Sequence, residues 1–114
     1  MLPPDKQRLL RIRDYCKLIE STVSRFGGTF DAFSEDVDFQ QSICFSILQI
    51  GELANNLSEE MKAATTAEMN WSQIKGMRNI VAHHYGKIDF EIVWSVATVD
   101  IPKLRQFCDK NLEE

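Results

Sequence analysis

Proline and glycine are scarce, three and five among 114 residues. That scarcity works against a turn-rich all-β fold and leaves long uninterrupted segments. No apolar run approaches the roughly 20 residues of a membrane span, and the N-terminal stretch MLPPDKQRLLRIRDYC lacks the continuous apolar core of a signal peptide. A cytoplasmic protein with no membrane association is therefore expected. Cysteine is too sparse for a disulfide framework. Cys16, Cys44 and Cys108 are odd in number and widely spaced, and each falls among apolar residues, as suits reduced thiols packed as small core residues. There is no internal repeat, linker or low-complexity tract, so residues 1–114 are expected to form one domain. Basic excess is also absent: the net charge of -4 argues against a protein that coats polyanions indiscriminately.

One further absence is local. From Met69 to Ile88 there is no Asp or Glu, while Lys75, Arg78 and Lys87 give this window +3 and leave -7 for the remainder. An anion could approach here.

What is present is helical periodicity. Ile12, Cys16, Ile19, Val23 and Phe26 recur at alternating spacings of four and three, the pattern of one buried helix face. This helix is predicted to start near Asp5, whose carboxylate would accept from first-turn N–H groups, and to end at Gly27-Gly28. The stretch TFDAFSEDVDF reads as an acidic connector whose phenylalanines cover a bundle end. A second helix is expected from about Asp38 to Leu57 on the stripe Ile43, Ile47, Ile50, Ala54 and Leu57, with Gly51 admitting a close neighbour. Ser58 caps a short helix, and Asn70 or Ser72 starts another that carries Ile74, Met77, Val81 and His84 and stops at Gly86. Asp89 caps a last long helix, which Pro102 bends. The fold class expected is an all-α, up-and-down bundle of four principal helices plus one short helix.

The acid-free window contains GMRNIVAHHYG, residues 76–86. At about 100° per residue Arg78 and Tyr85 lie on one stripe, about 20° apart, whereas Arg78 and His83 are separated by about 140°. These two meet only if the helix loosens before Gly86 or if two chains face each other across a two-fold axis. Several readings of the residues are open. They are half-buried polar residues; or Arg78 is an ion-pair partner for an acid such as Glu52; or the histidines bind metal, although H-x-x-x-H and H-E-x-x-H spacings are absent, so no metal or cofactor is expected. The fourth reading is phosphodiester chemistry. An RNA 2′-hydroxyl attacks the neighbouring phosphorus when a base takes its proton, an acid protonates the leaving oxygen, and a cation stabilises the added charge. Histidine and arginine suit those tasks.

Arg78 to Tyr85, R-N-I-V-A-H-H-Y, fits R-x4-H-x-Y. With QIGELANNLS (49–58), NWSQIKGMRN (70–79), YGKIDFEIVW (85–94) and DIPKL (100–104), the chain resembles the HepT-like toxins of the HEPN superfamily, found in HEPN/MNT toxin-antitoxin pairs. The resemblance implies a homodimeric, metal-independent endoribonuclease acting on an RNA substrate. It is neutralised by an MNT-type nucleotidyltransferase antitoxin that binds it and can add AMP to Tyr85. It further implies that Arg78 contacts the scissile phosphate, that His83 handles protons, and that Asn79 and His84 support the cleft, with Lys75 and Lys87 adding weak substrate contacts. The alternative within the same resemblance is a non-catalytic HEPN module in a nucleotidyltransferase complex. One departure stands out: many relatives carry a basic residue shortly before I-G-E, whereas residues 42–51 are uncharged here, which implies a weaker grip on RNA.

Overall fold

Two prolines open the first helix where their missing N–H groups and fixed φ do no harm, so α1 runs Pro3–Arg25, starting ahead of Asp5. The computed structural model describes residues 1–82 and 87–113. Asp5 does not cap α1 as expected. Its side chain is instead buried and turned to another element: Oδ1 accepts from the Ser58 backbone N–H (2.9 Å) and Oδ2 from the Ser58 hydroxyl (2.6 Å). A side chain able to reach a distant donor has more to gain there, because burial leaves an ionised carboxylate in need of donors. Leu9, Ile12, Cys16 and Ile19 form the buried stripe of α1. The helix ends in a Schellman arrangement, with Gly28 N–H on Val23 O, Gly27 N–H on Ser24 O and both glycines at positive φ.

The acidic connector is itself helical, which corrects the expectation. Thr29 accepts from Ala32 N–H and caps α2, Phe30–Glu35, so the hydroxyl supplies a start that the short pattern did not reveal. The phenylalanines do seal one end of the bundle. Phe33 is fully buried, edge-on to Phe39 (5.0 Å between centroids) and Phe90 (5.7 Å), with Trp94 at 5.3 Å.

Asp36 caps α3, Val37–Asn55, and Ile43, Ile47, Ile50 and Ala54 of the expected stripe are buried along it, followed by Leu57 just beyond its end. Ser58 accepts from Met61 N–H and begins α4, Glu59–Ala64. Asn70 accepts from Gln73 N–H ahead of α5, Trp71–Ala82, on which Ile74 and Met77 are buried. Asp89 caps α6, Phe90–Ser95, through two N–H groups. Ahead of Pro102 the chain widens into a π turn, Val96–Asp100, before α7, Ile101–Asn111. Proline has no N–H for the i→i−4 bond to Thr98 and its ring crowds that carbonyl; the wider i→i−5 turn relieves both, and Ile101 N–H reaches Val96 O. The path continues through the proline, as expected.

Among the described residues α1, α3, α5 and the α6–α7 unit are the principal helices, and α2 and α4 make two short ones rather than one. The fold class is all-α. Packing of α3 against both α1 and α5, and of α1 against α7, places α3 between α1 and α5. Arg105 of α7 joins Glu20 of α1 (2.7 Å) and Asp109 (2.8 Å). Cys16 and Cys108 are fully buried, and burial pushes the Cys108 thiol up to about 12 and that of Cys16 well above its ordinary value. They are core residues with little thiolate character. No helix among the described residues is long and apolar enough to cross a membrane.

Candidate functional site at the seam of α3 and α5

Trp71 fixes the start of α5. Its indole N–H donates to Thr65 Oγ1 (2.8 Å) and its ring meets Phe107 of α7 edge-on (5.4 Å), while Ile74 and Met77 bury the following turn. With that face held inward, Arg78 falls on the side of α5 that meets α3.

Gly51 is the reason the two helices come so close there. A Cβ built on Gly51 would lie 2.8 Å from Arg78 Cβ and 2.9 Å from Arg78 N, distances at which something must shift. A close approach of α3 to the α5 backbone therefore falls at the arginine. One residue on, Glu52 accepts from Arg78 Nη1 at 2.5 Å. Sequence spacing raised this ion pair as one reading of Arg78, and it is present. It is not a buried pair: the side chains are 31% and 47% exposed for Arg78 and Glu52. A guanidinium has five N–H donors in a planar fork, more than one carboxylate oxygen occupies, so the pair holds the group in place and still leaves it able to face an anion.

Around it, Asn79 and Lys75 are exposed on α5, and Lys75 has no side-chain partner among the described residues. Lys87 is exposed on the connection to α6 and lines, with Ile80, Asp89 and Ile92, a depression of about 170 Å³. The structure thus places Lys75, Arg78 and Asn79 on one helix, with Lys87 beyond its end. His83, His84 and Tyr85, together with Gly86, lie outside the described residues. What the pattern along the chain did not reveal is the alignment of Gly51 with Arg78: glycine and arginine were each legible, but their apposition belongs to the packing of two helices.

The family model described as "Ribonuclease HepT-like" matches residues 12–111. A "Putative RNase" of Methanocaldococcus jannaschii is 31% identical over 74 residues, covering 65% of this chain and 60% of that protein. A "Putative RNase" of Caldanaerobacter subterraneus subsp. tengcongensis is 29% identical over 80 residues, 70% of each chain. The "Probable ribonuclease HepT" of Thermococcus cleftensis is 24% identical over 102 residues, 82% of this chain and 88% of that protein. No solved structure gives a significant match to the chain.

Proposed function

The chain belongs to the ribonuclease HepT-like family, and from that premise we propose that it is a metal-independent endoribonuclease, active as a homodimer in the cytoplasm. The observation that carries the reading is Arg78, held half-exposed at the α3/α5 seam by Gly51 and Glu52, in a window free of acidic residues. In the reaction the 2′-hydroxyl loses its proton to a histidine and attacks the adjacent phosphorus. The P–O5′ bond breaks, the leaving 5′-oxygen takes a proton from a second acid, and a 2′,3′-cyclic phosphate and a 5′-hydroxyl result. Arg78 stabilises the charge added at phosphorus, and His83 moves protons. One imidazole cannot easily be base and acid in the same step; two copies supply two. Asn79 and His84 support the cleft, and Lys75 and Lys87 contribute weak attraction to the RNA backbone.

The partner in this reading is an MNT-type nucleotidyltransferase acting as antitoxin in a toxin-antitoxin pair. It transfers AMP from ATP to the Tyr85 hydroxyl, releasing pyrophosphate. Tyr85 falls seven residues after Arg78, so an adenylate there puts negative charge and bulk beside the phosphate-binding group and blocks it without unfolding the chain.

The test is cleavage of single-stranded RNA by the purified protein in the presence of EDTA. Activity is expected to persist with the chelator and to vanish in His83→Ala with helical circular dichroism unchanged. Loss with chelator, or survival of His83→Ala, overturns the proposal. Binding of the nucleotidyltransferase with no RNA turnover would favour the non-catalytic module, a reading that the uncharged stretch of α3 before Glu52 also suits.

A further inference from the structure

The outward crest of α5 leads from Arg78 to a hollow on the opposite side of the helix. At about 100° per residue, Lys75, Asn79, Gly76 and Ile80 follow Arg78 around α5 at about 60°, 100°, 160° and 200°, all within about 8 Å along the axis. This band carries no acidic residue. Gly76 stands within it and lacks a packing reason: a Cβ placed there meets nothing within 4 Å among the described residues, in contrast to Gly51. A glycine inside a helix is destabilising relative to alanine, and here no neighbour gains from the missing side chain. What gains is a molecule that must come close to the backbone from outside. Beyond the crest the band ends in the depression of about 170 Å³ that Ile80 shares with Lys87, Asp89 and Ile92.

We propose that one RNA strand crosses this crest from Arg78, its sugar-phosphate chain lying on the flat left by Gly76, and seats a base, cytosine by preference, in the Ile80–Ile92 hollow. This rests on the ribonuclease reading above and names where the strand's sequence is read. The base belongs to a nucleotide a few places from the scissile bond, because the hollow and the α3 seam lie on opposite sides of α5.

Two branched aliphatic side chains, one from α5 and one from α6, give a base its apolar walls, and Ile92 is 48% exposed, leaving its face open to be covered. Asp89 supplies the discrimination. Its Oδ1 accepts from the Glu91 and Ile92 N–H groups (3.0 and 3.3 Å), which fixes the carboxylate, while Oδ2 has no partner among the described residues. An ionised carboxylate only accepts, so it pairs with an exocyclic amino group and repels a carbonyl. Cytosine presents N4–H₂ where uracil presents the carbonyl O4. Lys87 only donates, and it has no side-chain partner among the described residues, so it suits the acceptors O2 and N3 of the same base. The hollow is well below the roughly 300–1,000 Å³ of pockets for larger ligands, which favours a one-ring base over a purine. With Lys75 and Arg78 on the way and no carboxylate before Asp89, the band also attracts the phosphates that must cross it.

The experiment measures binding of short oligocytidylate and oligouridylate by fluorescence anisotropy, on the full chain carrying His83→Ala so that no RNA is cut, with circular dichroism on every variant. Oligocytidylate is expected to bind roughly tenfold more tightly. With Asp89→Asn added, the carboxamide oxygen still caps α6 while its NH₂ faces the hollow, so the preference is expected to turn to oligouridylate. Ile92→Ala, at an exposed position, is expected to weaken oligocytidylate several-fold with helicity unchanged. Gly76→Ala is expected to melt a few degrees higher and to bind both oligonucleotides a few-fold more weakly, whereas a glycine needed for packing would lose stability. Equal affinity for the two oligonucleotides, a cytosine preference that Asp89→Asn keeps, or a Gly76→Ala variant that melts lower or binds undiminished overturns the proposal. So does a loss confined to nucleotidyltransferase binding in Asp89→Asn and Ile92→Ala, which would give the hollow to that partner. Should the base preference and its reversal appear while the wild-type chain cuts no RNA, the hollow stands and the nuclease reading alone is defeated. Cleavage by the wild type that is indifferent to base along the strand does the reverse.

Discussion

Two carboxylates in this molecule each tie one helix to another element, and they do opposite things. Asp5 is 1% exposed and takes both donors of Ser58, the residue that caps α4. Glu52 is about half exposed and meets an arginine at a groove. At Asp5, burial works to raise the carboxyl pKa, but the Ser58 hydroxyl and N–H, with Arg8 assisting, outweigh it and hold the group below the usual carboxylate range. That carboxylate is consumed by structure: it fastens the start of α1 to the α3–α4 corner and has nothing left for a ligand. Glu52 leaves part of its arginine in water. A buried, hydrogen-bonded charge serves stability, whereas a half-exposed pair contributes little to stability and keeps a cation aimed.

The largest effect that could break this contrast is at the groove. Arg78→Ala is expected to lower RNA cleavage by roughly 100-fold or more while leaving the melting temperature nearly unchanged, measured by single-turnover kinetics and thermal melts on the same preparation. A large loss of stability with normal cleavage would reverse the roles assigned to the two carboxylates.

At the buried clamp the expectation runs the other way. Asp5→Ala leaves the Ser58 donors without their acceptor and should destabilise by about 1.5–3 kcal/mol, roughly 6–12 °C in Tm, with cleavage preserved below the melt. Its pH dependence follows from the sign of the shift. The folded pKa lies below the unfolded value of about 3.9, so the contribution is complete above that pH and disappears as pH falls through the folded pKa. Urea midpoints for wild type and Asp5→Ala should therefore converge at acid pH; a gap that is constant from pH 7 to pH 2 would contradict the clamp.

Gly51→Ala probes the seam itself. Overlap with Arg78 Cβ and N costs about 1–3 kcal/mol, offset by roughly 1 kcal/mol of helix propensity. A net loss of up to about 2 kcal/mol is expected, together with reduced cleavage as Arg78 is displaced; an unchanged urea midpoint with undiminished cleavage would mean that α3 and α5 separate freely. The smallest effect belongs to Glu52→Gln, under about 1 kcal/mol in the denaturant midpoint, since the pair is half exposed. A larger change would place Glu52 with Asp5 among the structural carboxylates.

Much of the architecture was legible along the chain. The alternating spacings of Ile43, Ile47, Ile50 and Ala54 foretold a buried face, and Ser58 and Asp89 foretold their helix starts, because a cap and a stripe are local properties of a few residues. The helix in TFDAFSE was missed because six residues are too short to display a period, and the π turn because only the helix already in place decides how Pro102 is accommodated. The arginine of the candidate site could be named from its motif. His83, His84 and Tyr85 could be named the same way, and they lie outside the described residues.

By itself, then, the order of amino acids determined where helices begin, which stripes they bury and which residues could handle a phosphate, since these depend on neighbours within a turn or two. Only the tertiary structure decided that Asp5 would serve Ser58 rather than its own helix, that Gly51 would face Arg78, and that Ile80 and Ile92 would line one hollow. Each of those depends on contact between segments remote in the chain, where packing distance rather than sequence spacing sets which groups meet.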